Sequence, residues 1–312
     1  MSIVGRRVTV RVPATTANLG PGFDTLGLAL SLYDELEVTA LPGAGVSVEV
    51  EGVGAGEVPT DASNLVVRAI AHAFAAAGEP LPGLALVARN AIPHGRGLGS
   101  SAAAIVAGIM AAKGLLEGVV ELDSERVLAL ATELEGHPDN VAPAILGGLT
   151  IAWTAPEGPH AKKLMVHRGV SPLVAVPAEA TMSTKVARTL QPEAVPHQDA
   201  VFNVSRSALL VAALTQSPEL LLQATEDKLH QSYRAKAMPE TDQLIAVLRA
   251  NGLAAVVSGA GPAILVLGSD PAQRLRAQEL VEEHATTPWE CLLLAVDFRG
   301  ATVVSHPFET AP

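Results

Sequence analysis

Cysteine is almost absent from the sequence: Cys291 is the only one in 312 residues. A single thiol excludes an internal disulfide framework and any metal site built from several thiolates. The three residues that follow it, Leu292, Leu293 and Leu294, predict that this thiol lies in the core.

Long hydrophobic runs are also absent, although 49% of the residues are hydrophobic. Glycine, proline or a polar residue interrupts every apolar stretch before it reaches the twenty residues that a membrane-spanning helix needs. The first residues lack the charged and then apolar layout of a signal peptide. These absences predict a soluble, cytoplasmic protein.

Positive charge is scarce, because 21 Lys and Arg residues face 32 Asp and Glu residues, for a net charge of −11. Nucleic acids and anionic membrane surfaces are bound through clustered Lys and Arg, so the balance argues against both as partners. It does not argue against a nucleotide. A helix N-terminus, Mg²⁺ and a few arginines supply enough local positive potential for a small triphosphate.

The length and the patterning predict two domains of mixed helices and strands. The turn-forming residues at 154–160 suggest a boundary, which divides the chain into 1–158 and 159–312. Predicted strands cover 8–12, 36–40, 46–50, 84–88, 173–176, 254–257 and 264–267. Predicted helices run from 61 or 63 to 77, over 101–116, 123–134, 203–214, 217–231 and 239–250, and from 270 onward.

The segment PHGRGLGSSAAA at 93–104 is the most informative stretch, because a glycine-rich turn and two serines lead directly into an alanine-rich helix. The first amide groups of such a helix, together with its dipole, suit phosphate. An ordinary capped, buried helix would explain a generic Gly-Ser turn equally well. The segment has neither the lysine of a Walker A loop nor the downstream acid of a Rossmann site.

This segment is similar to the central motif of the GHMP kinases. VRVPATTANLGPGFDTLGLAL at 10–30 resembles the first motif of that family in the form carried by its homoserine kinase branch, and SGAGPA at 258–263 resembles the third. The resemblance implies an α+β, two-domain fold. Its N-terminal domain would be like ribosomal protein S5 domain 2, with a left-handed crossover, and its C-terminal domain would be ferredoxin-like. Members of the family are often homodimers, so a homodimer is expected.

The resemblance also implies the activity: ATP-dependent phosphorylation of L-homoserine to O-phospho-L-homoserine, a step in threonine biosynthesis. The alternative within the kinases is a mevalonate-pathway enzyme or another small-molecule GHMP kinase. From other classes, a lyase with the same fold, such as a diphosphomevalonate decarboxylase, and a catalytically inactive binding module remain open. The resemblance assigns ATP to the following residues: Pro93, His94, Gly95, Arg96, Gly97, Leu98, Gly99, Ser100, Ser101, Ala102 and Ala103.

The segment TELEGHPDN offers candidates for metal binding and catalysis in a polar loop that precedes a strand. Glu133 and Glu135 lie two residues apart near a helix end, so only one of them is expected to face the phosphates. The homoserine kinase pattern selects Glu135, which would bind Mg²⁺ together with Ser101. The same pattern assigns Asn140 to the attacking hydroxyl and His137 to the lining of the site. Whether Asp139 acts as a base is left open.

An amino-acid substrate requires an acid for its ammonium group and arginines for its carboxylate. Asn18 and Asp24 lie in the irregular loop of the first motif and are expected to contact the substrate. Arg188 and Arg234 resemble the carboxylate-binding arginines of homoserine kinases, and Thr184 accompanies the first of them. The combination of an acid and two arginines favours a zwitterion over a sugar or mevalonate.

The remaining expectations concern the edges of the site. Asn64 and Arg89 are expected to border the adenine, by resemblance alone. Gly259 is expected in the thin wall over the substrate, although a plain hairpin turn explains the third motif nearly as well. His72 and His230 lack metal-ligand spacing and are interpreted as structural.

Overall fold

The computed structural model of the protein describes residues 3–306, which form a seven-stranded and a four-stranded β-sheet covered by helices. In chain order the strands are β1 Arg7–Asn18, β2 Gly22–Leu41, β3 Val46–Gly52, β4 Gly83–Asn90, β5 Leu149–Ala155, β6 Gly158–Leu164, β7 Ser171–Pro177, β8 Ala254–Val257, β9 Ile264–Gly268, β10 Trp289–Leu293 and β11 Thr302–His306. The helices are α1 Leu65–Ala77, α2 Ser100–Leu115, α3 Ser124–Glu135, α4 Pro138–Leu146, α5 Thr184–Thr189, α6 His197–Thr215, α7 Leu221–Ala224, α8 Gln231–Arg234, α9 Pro239–Ala250 and α10 Pro271–His284. Across 3–306, no helix combines the length and the apolar character needed to span a membrane.

The larger sheet runs in the order β11-β1-β2-β4-β3, and β5 and β6 continue from β2. Its long strands β1 and β2 are antiparallel, and their register shifts after Pro13 and after Ala17. These shifts re-aim the end of β1, where the loop of the first motif begins. Strands β3 and β4 are parallel, and helix α1 provides the crossover that a parallel pair needs.

Helix α2 is buried on nearly all sides, as its composition predicts. It packs against α1, α3 and β1. Its small residues make this possible: a Cβ added to Gly108 would lie 2.6 Å from the carbonyl oxygen of Val66 in α1. The alanine and glycine content of α2 therefore reflects close packing as well as ligand access.

The smaller sheet runs in the order β10-β7-β9-β8, with every neighbouring pair antiparallel. Its elements follow the order strand, helices, two strands, helix, strand, which is the ferredoxin-like arrangement. Helices α9 and α10 bury a separate apolar cluster against this sheet, formed by residues that include Leu173, Leu244, Leu248, Val266 and Leu280.

The structure corrects the predicted polar loop after Gly136. The HPDN segment starts helix α4, with His137 as N-cap and Pro138 in the first turn. Proline is favoured at the start of a helix because its missing N–H has no intrahelical partner there. Pro143 lies inside the helix and has no N–H to donate to the carbonyl oxygen of Asp139. That oxygen packs directly against Gly27.

The predicted helix over 217–231 is also wrong. A single 3₁₀ turn at Pro218–Leu220 leads into the short helix α7, which ends at Ala224, and α8 starts only at Gln231. The Asp227 carboxylate accepts hydrogen bonds from the amides of Leu229, His230 and Gln231, which fixes a loop in place of a continuous helix.

Three smaller differences concern ends and edges. Asn64 caps α1, whereas Asp61 bonds to Ser63. The turn-forming stretch at 154–160 closes the β5–β6 hairpin, so the chain leaves the larger sheet only after Leu164. The division into 1–158 and 159–312 stays a prediction. The predicted strands did not include β6, β10 or β11. Burial raises the pKa of Cys291 in β10 to about 11.

Candidate active site

The glycine-rich loop before α2 has the backbone of an anion-binding turn. Gly95, Gly97 and Gly99 have φ angles of 63°, 80° and 67°, a region that glycine adopts without strain. Gly99 is the N-cap of α2, and no side chain caps this helix end. Neither Ser100 nor Ser101 acts as a cap. The first amides of α2 therefore point into the adjoining cleft as hydrogen-bond donors.

The same glycines allow three segments of the chain to meet. A Cβ on Gly97 would lie 2.0 Å from the carbonyl oxygen of Ser258, and a Cβ on Gly99 would lie 2.0 Å from Thr15 Oγ1. The loop therefore lies wedged between the first motif and the SGAGPA segment, with no room for side chains at these two positions.

Ser258 fastens these segments together. Its hydroxyl lies 2.6 Å from the carbonyl oxygen of Gly97 and 2.9 Å from Thr16 Oγ1, in a fully buried position. Because Ser258 has one hydroxyl proton and a carbonyl can only accept, Ser258 donates to Gly97 and accepts from Thr16. The amide of Gly259 adds a bond to Ala17 O at 3.1 Å. We call these contacts the Ser258 clasp.

The two candidate acids of α3 have different surroundings. Ser101 Oγ donates to Glu135 Oε1 at 2.8 Å, beside the glycine loop. Glu133 instead pairs with His72 Nε2 at 2.9 Å, on the face of α3 that meets α1. Burial raises the pKa of Glu135, although the bond from Ser101 and the nearby His137 lower it. Glu135, and not Glu133, lies at the cleft.

Asn140 lines the cleft next to Gly99 of the glycine-rich loop. Asn140 Oδ1 accepts a hydrogen bond from Thr15 Oγ1 at 2.9 Å. Asp139 is only 3% exposed, and its carboxylate lies 3.0 Å from His137 Nδ1. This bond raises the pKa of His137 despite its burial. Asn140 lines the cleft itself, whereas the carboxylate of Asp139 is hydrogen-bonded to His137.

The loop of the first motif presents an acid to a facing arginine. Asn18 and Asp24 both have positive φ angles, of 71° and 54°. Asn18 holds this conformation by accepting from the Asp24 amide and donating to the carbonyl of Gly259. The Asp24 carboxylate then receives two bonds from Arg188, at 2.9 and 3.0 Å.

A second arginine lies behind this pair. Arg234 is 3% exposed and donates to the carbonyl oxygen of Gly259 at 3.1 Å, over the ring of Phe23. Burial lowers the pKa of Arg234, while the charge of Asp24 opposes this effect. The ring of His230 stacks on the ring of Phe23, and its Nε2 donates to the carbonyl oxygen of Gly20. Both contacts fit the structural interpretation of His230.

The residues at the start of α5 form another part of the wall of the cleft. Thr184 lines it together with Met182 and Ser183, and the Met182 amide donates to the carbonyl of Gly95 at 3.0 Å. The glycine-rich loop, Glu135 and Asn140 therefore face one cavity with Thr184 and Gly259. This cavity continues, past Ser100 and Ser101, into a largely apolar pocket between α1, α2 and β4.

Several residues predicted to bind ATP line that apolar pocket, among them Asn64, His94 and Ala103. Others do not. Leu98 and Ala102 pack in the core, and Pro93 lines neither cavity. Arg96 donates to the carbonyl of Ala178, and Arg89 pairs with Glu51, so both guanidinium groups are engaged elsewhere.

Sequence reasoning missed three polar contributors to the site: Thr15, Ser183 and Ser258. Thr15 and Ser258 lie inside the quoted motifs, but a threonine in a strand and a serine beside glycines also suit ordinary sheet and turn positions. Ser183 is the N-cap of α5, a position that is typical of a serine before a short helix and could be predicted from the sequence.

Comparison with known proteins identifies the family. Residues 64–148 match the GHMP kinases N terminal domain, and residues 208–285 match the GHMP kinases C terminal region. A homoserine kinase of Clavibacter michiganensis subsp. michiganensis is 72% identical over 96% of this chain and 94% of its own length. Another, from Leifsonia xyli subsp. xyli, is 70% identical over 97% and 94%.

The chain belongs to the homoserine kinases of the GHMP kinase family. It is therefore a phosphotransferase. The crystal structure of homoserine kinase from Cytophaga hutchinsonii superposes with a TM-score of 0.85 at 27% identity, and covers 96% of this chain and 97% of that one. The predicted two-domain GHMP kinase fold is thus confirmed.

Ser258→Ala tests the clasp. Loss of the hydroxyl leaves the buried Gly97 carbonyl without its donor, so we expect the free energy of unfolding to fall by about 1 to 3 kcal/mol. Denaturant titration measures the change. Ser205→Ala is the control, since this exposed hydroxyl bonds only within its own helix turn. Equal stability of Ser258→Ala and the parent would contradict the clasp.

Proposed function

We propose that the chain transfers the γ-phosphoryl group of ATP to the side-chain hydroxyl of L-homoserine, in the cleft between the glycine loop and α5. The products are ADP and O-phospho-L-homoserine, an intermediate of threonine biosynthesis. The observation that carries this proposal is the pair of Asp24 and Arg188, which Asn18 connects to Gly259 in the wall of the cleft. The names of the relatives at 72% and 70% identity support it.

The phosphates of ATP are proposed to bind at the first turn of α2. Gly97 and Gly99 bring the backbone against the ligand, and the amides of Ser100 and Ser101 donate to phosphate oxygens. The nucleoside would then extend into the apolar pocket, which Asn64 borders. An apolar, concave pocket next to a cluster of polar donors is typical of small-molecule sites.

Mg²⁺ fits Ser101 and Glu135. Ser101 Oγ and Glu135 Oε1 are hydrogen-bonded, so both oxygens could ligate one ion. A cation would also stabilise the charge of the buried Glu135 carboxylate. Within residues 3–306, no group of three or more His, Cys, Asp or Glu side chains forms a metal cage. This suits Mg²⁺, which uses few protein ligands and keeps water and phosphate oxygens. When bound, it would neutralise charge on the phosphates.

A zwitterion is the substrate that this cleft accommodates best. Its ammonium group would replace Arg188 as a partner of Asp24, and its carboxylate would take the guanidinium of Arg188. Arg234, which is buried beside both, adds positive potential on the carboxylate side. A sugar or mevalonate carries no cation that could replace the guanidinium of Arg188 beside Asp24, so the substrates of the alternative kinases match this charge pair less well.

The transfer itself requires positioning more than covalent chemistry. Asn140 orients the substrate hydroxyl for in-line attack on the γ-phosphorus; the new O–P bond forms as the bond to the β–γ bridging oxygen breaks. The hydroxyl proton moves to a γ-phosphoryl oxygen. Asp139 is assigned to holding His137 and not to proton abstraction, because its carboxylate is buried against that ring.

The direct test is an ADP-release assay on the purified chain with Mg-ATP and one acceptor at a time. L-Homoserine should give the highest kcat/KM, ahead of L-threonine, mevalonate and galactose. A higher value with mevalonate or galactose, or no ADP with any of them, would overturn the proposal. The cytoplasmic location and the homodimer stay predictions.

Glu135→Gln tests the assignment of the metal ligand. Removal of the charge should lower kcat by about 100- to 1000-fold, since an electrostatic contact to the developing charge is lost. The circular dichroism spectrum should not change. Glu133→Gln is the matched control and should stay within about threefold of the parent, because its surface pair with His72 contributes little. The reverse pattern would move the metal to Glu133.

Arg188→Ala tests the carboxylate clamp. The KM for homoserine should rise about 10- to 100-fold with little change in the KM for ATP, since a charge-assisted bidentate contact is lost. Arg188→Lys should recover only part of the affinity, because lysine cannot bond bidentately. Arg206→Ala, which removes a surface pair with Glu226, is the control. An unchanged homoserine KM in Arg188→Ala would contradict the clamp.

A further inference from the structure

We propose that Thr15 is a positioning residue that fixes the amide of Asn140 with its nitrogen facing the substrate hydroxyl. The inference rests on the proposed function and concerns how the hydroxyl is aimed. Three observations carry it: the position of the Thr15 side chain, the contact that it makes, and the group of Asn140 that this contact leaves for the ligand.

Thr15 is held rigidly. It is fully buried, pairs with Ala29 across the β1–β2 ladder, and donates its amide to the carbonyl of Leu98 at 3.1 Å. Gly99 packs so closely that a Cβ there would lie 2.0 Å from Thr15 Oγ1. The hydroxyl is therefore enclosed between the sheet and the start of α2, and its position does not depend on a ligand.

The contact made by this hydroxyl is specific. Thr15 Oγ1 lies 2.9 Å from Asn140 Oδ1 and donates its proton to it. A carboxamide has one accepting oxygen and one nitrogen with two protons. Once the oxygen is bonded to Thr15, the nitrogen is the group that Asn140 presents to the cleft that it lines. In the observed orientation the hydroxyl of Thr15 donates to Oδ1; the opposite orientation would turn the oxygen, an acceptor only, toward the cleft.

This orientation sets the direction of the hydrogen bond to the substrate. Asn140 Nδ2 donates to the lone pair of the attacking oxygen, so the proton of that hydroxyl points away from Asn140. The proton is then free to pass to a γ-phosphoryl oxygen as the O–P bond forms and ADP leaves. A transfer without a dedicated protein base is consistent with this direction, and Asp139 is not required.

The test compares three variants of the full chain. Thr15→Val keeps the shape and the β-branched side chain but removes the donor, so kcat should fall about 10- to 100-fold while both KM values stay within about twofold. Thr15→Ser restores the donor and should recover most of kcat. Thr150→Val is the control, because it removes another fully buried hydroxyl of the same sheet that lies outside the cleft.

A double-mutant cycle separates positioning from a general structural effect. In the Asn140→Ala background, Thr15→Val should cause no further loss of kcat, since the group through which Thr15 acts is gone. An equal fractional loss in both backgrounds, or full activity of Thr15→Val in the parent, would overturn the inference. A parent chain that releases no ADP with homoserine would instead mean that the proposed function has failed.

Discussion

Close packing of three chain segments around Gly97 and Gly99 is the constraint on which the site depends. The loop before α2 can face the cleft only because Gly97 and Gly99 carry no side chain where Ser258 and Thr15 approach. The buried hydroxyl of Ser258 then ties the loop to the first motif. The glycine-rich loop, the start of α2 and the SGAGPA segment are thereby held around one cavity before any ligand arrives, and such preorganisation is what phosphoryl transfer requires.

The charged groups near the cleft are also arranged before a ligand binds. The chain is acidic overall, yet the start of α2 lines the cleft and the buried Arg234 donates to Gly259, which lines it too, so the local potential differs from the net charge. The charged groups proposed to bind the substrate are paired with each other, Asp24 with Arg188. A ligand with only one charge would leave one partner unpaired in a half-buried site, and such an arrangement discriminates against it.

Local signals predicted much of the fold and only part of the site. Helix α2 follows from its alanine content, and α10 from Asp270 and Pro271, because caps and composition act within a few residues. Helix α4 was missed because its two prolines are typical of a loop. The spacing of Glu133 and Glu135 alone does not separate them, and only the family resemblance selected Glu135, since His72, which pairs with Glu133, comes from a distant helix. Contacts across the chain, such as that between Ser258 and Gly97, depend on tertiary packing.

The proposed function requires phosphate to bind at the start of α2 while a zwitterion binds between Asp24 and Arg188. A crystal structure with L-homoserine and a non-hydrolysable ATP analogue tests it most directly. We expect the phosphates on the amides of Ser100 and Ser101, the amino acid between the two charged side chains, and its hydroxyl beside the Asn140 nitrogen. Phosphates bound away from α2, or an amino acid that leaves the Asp24–Arg188 pair closed, would contradict the account.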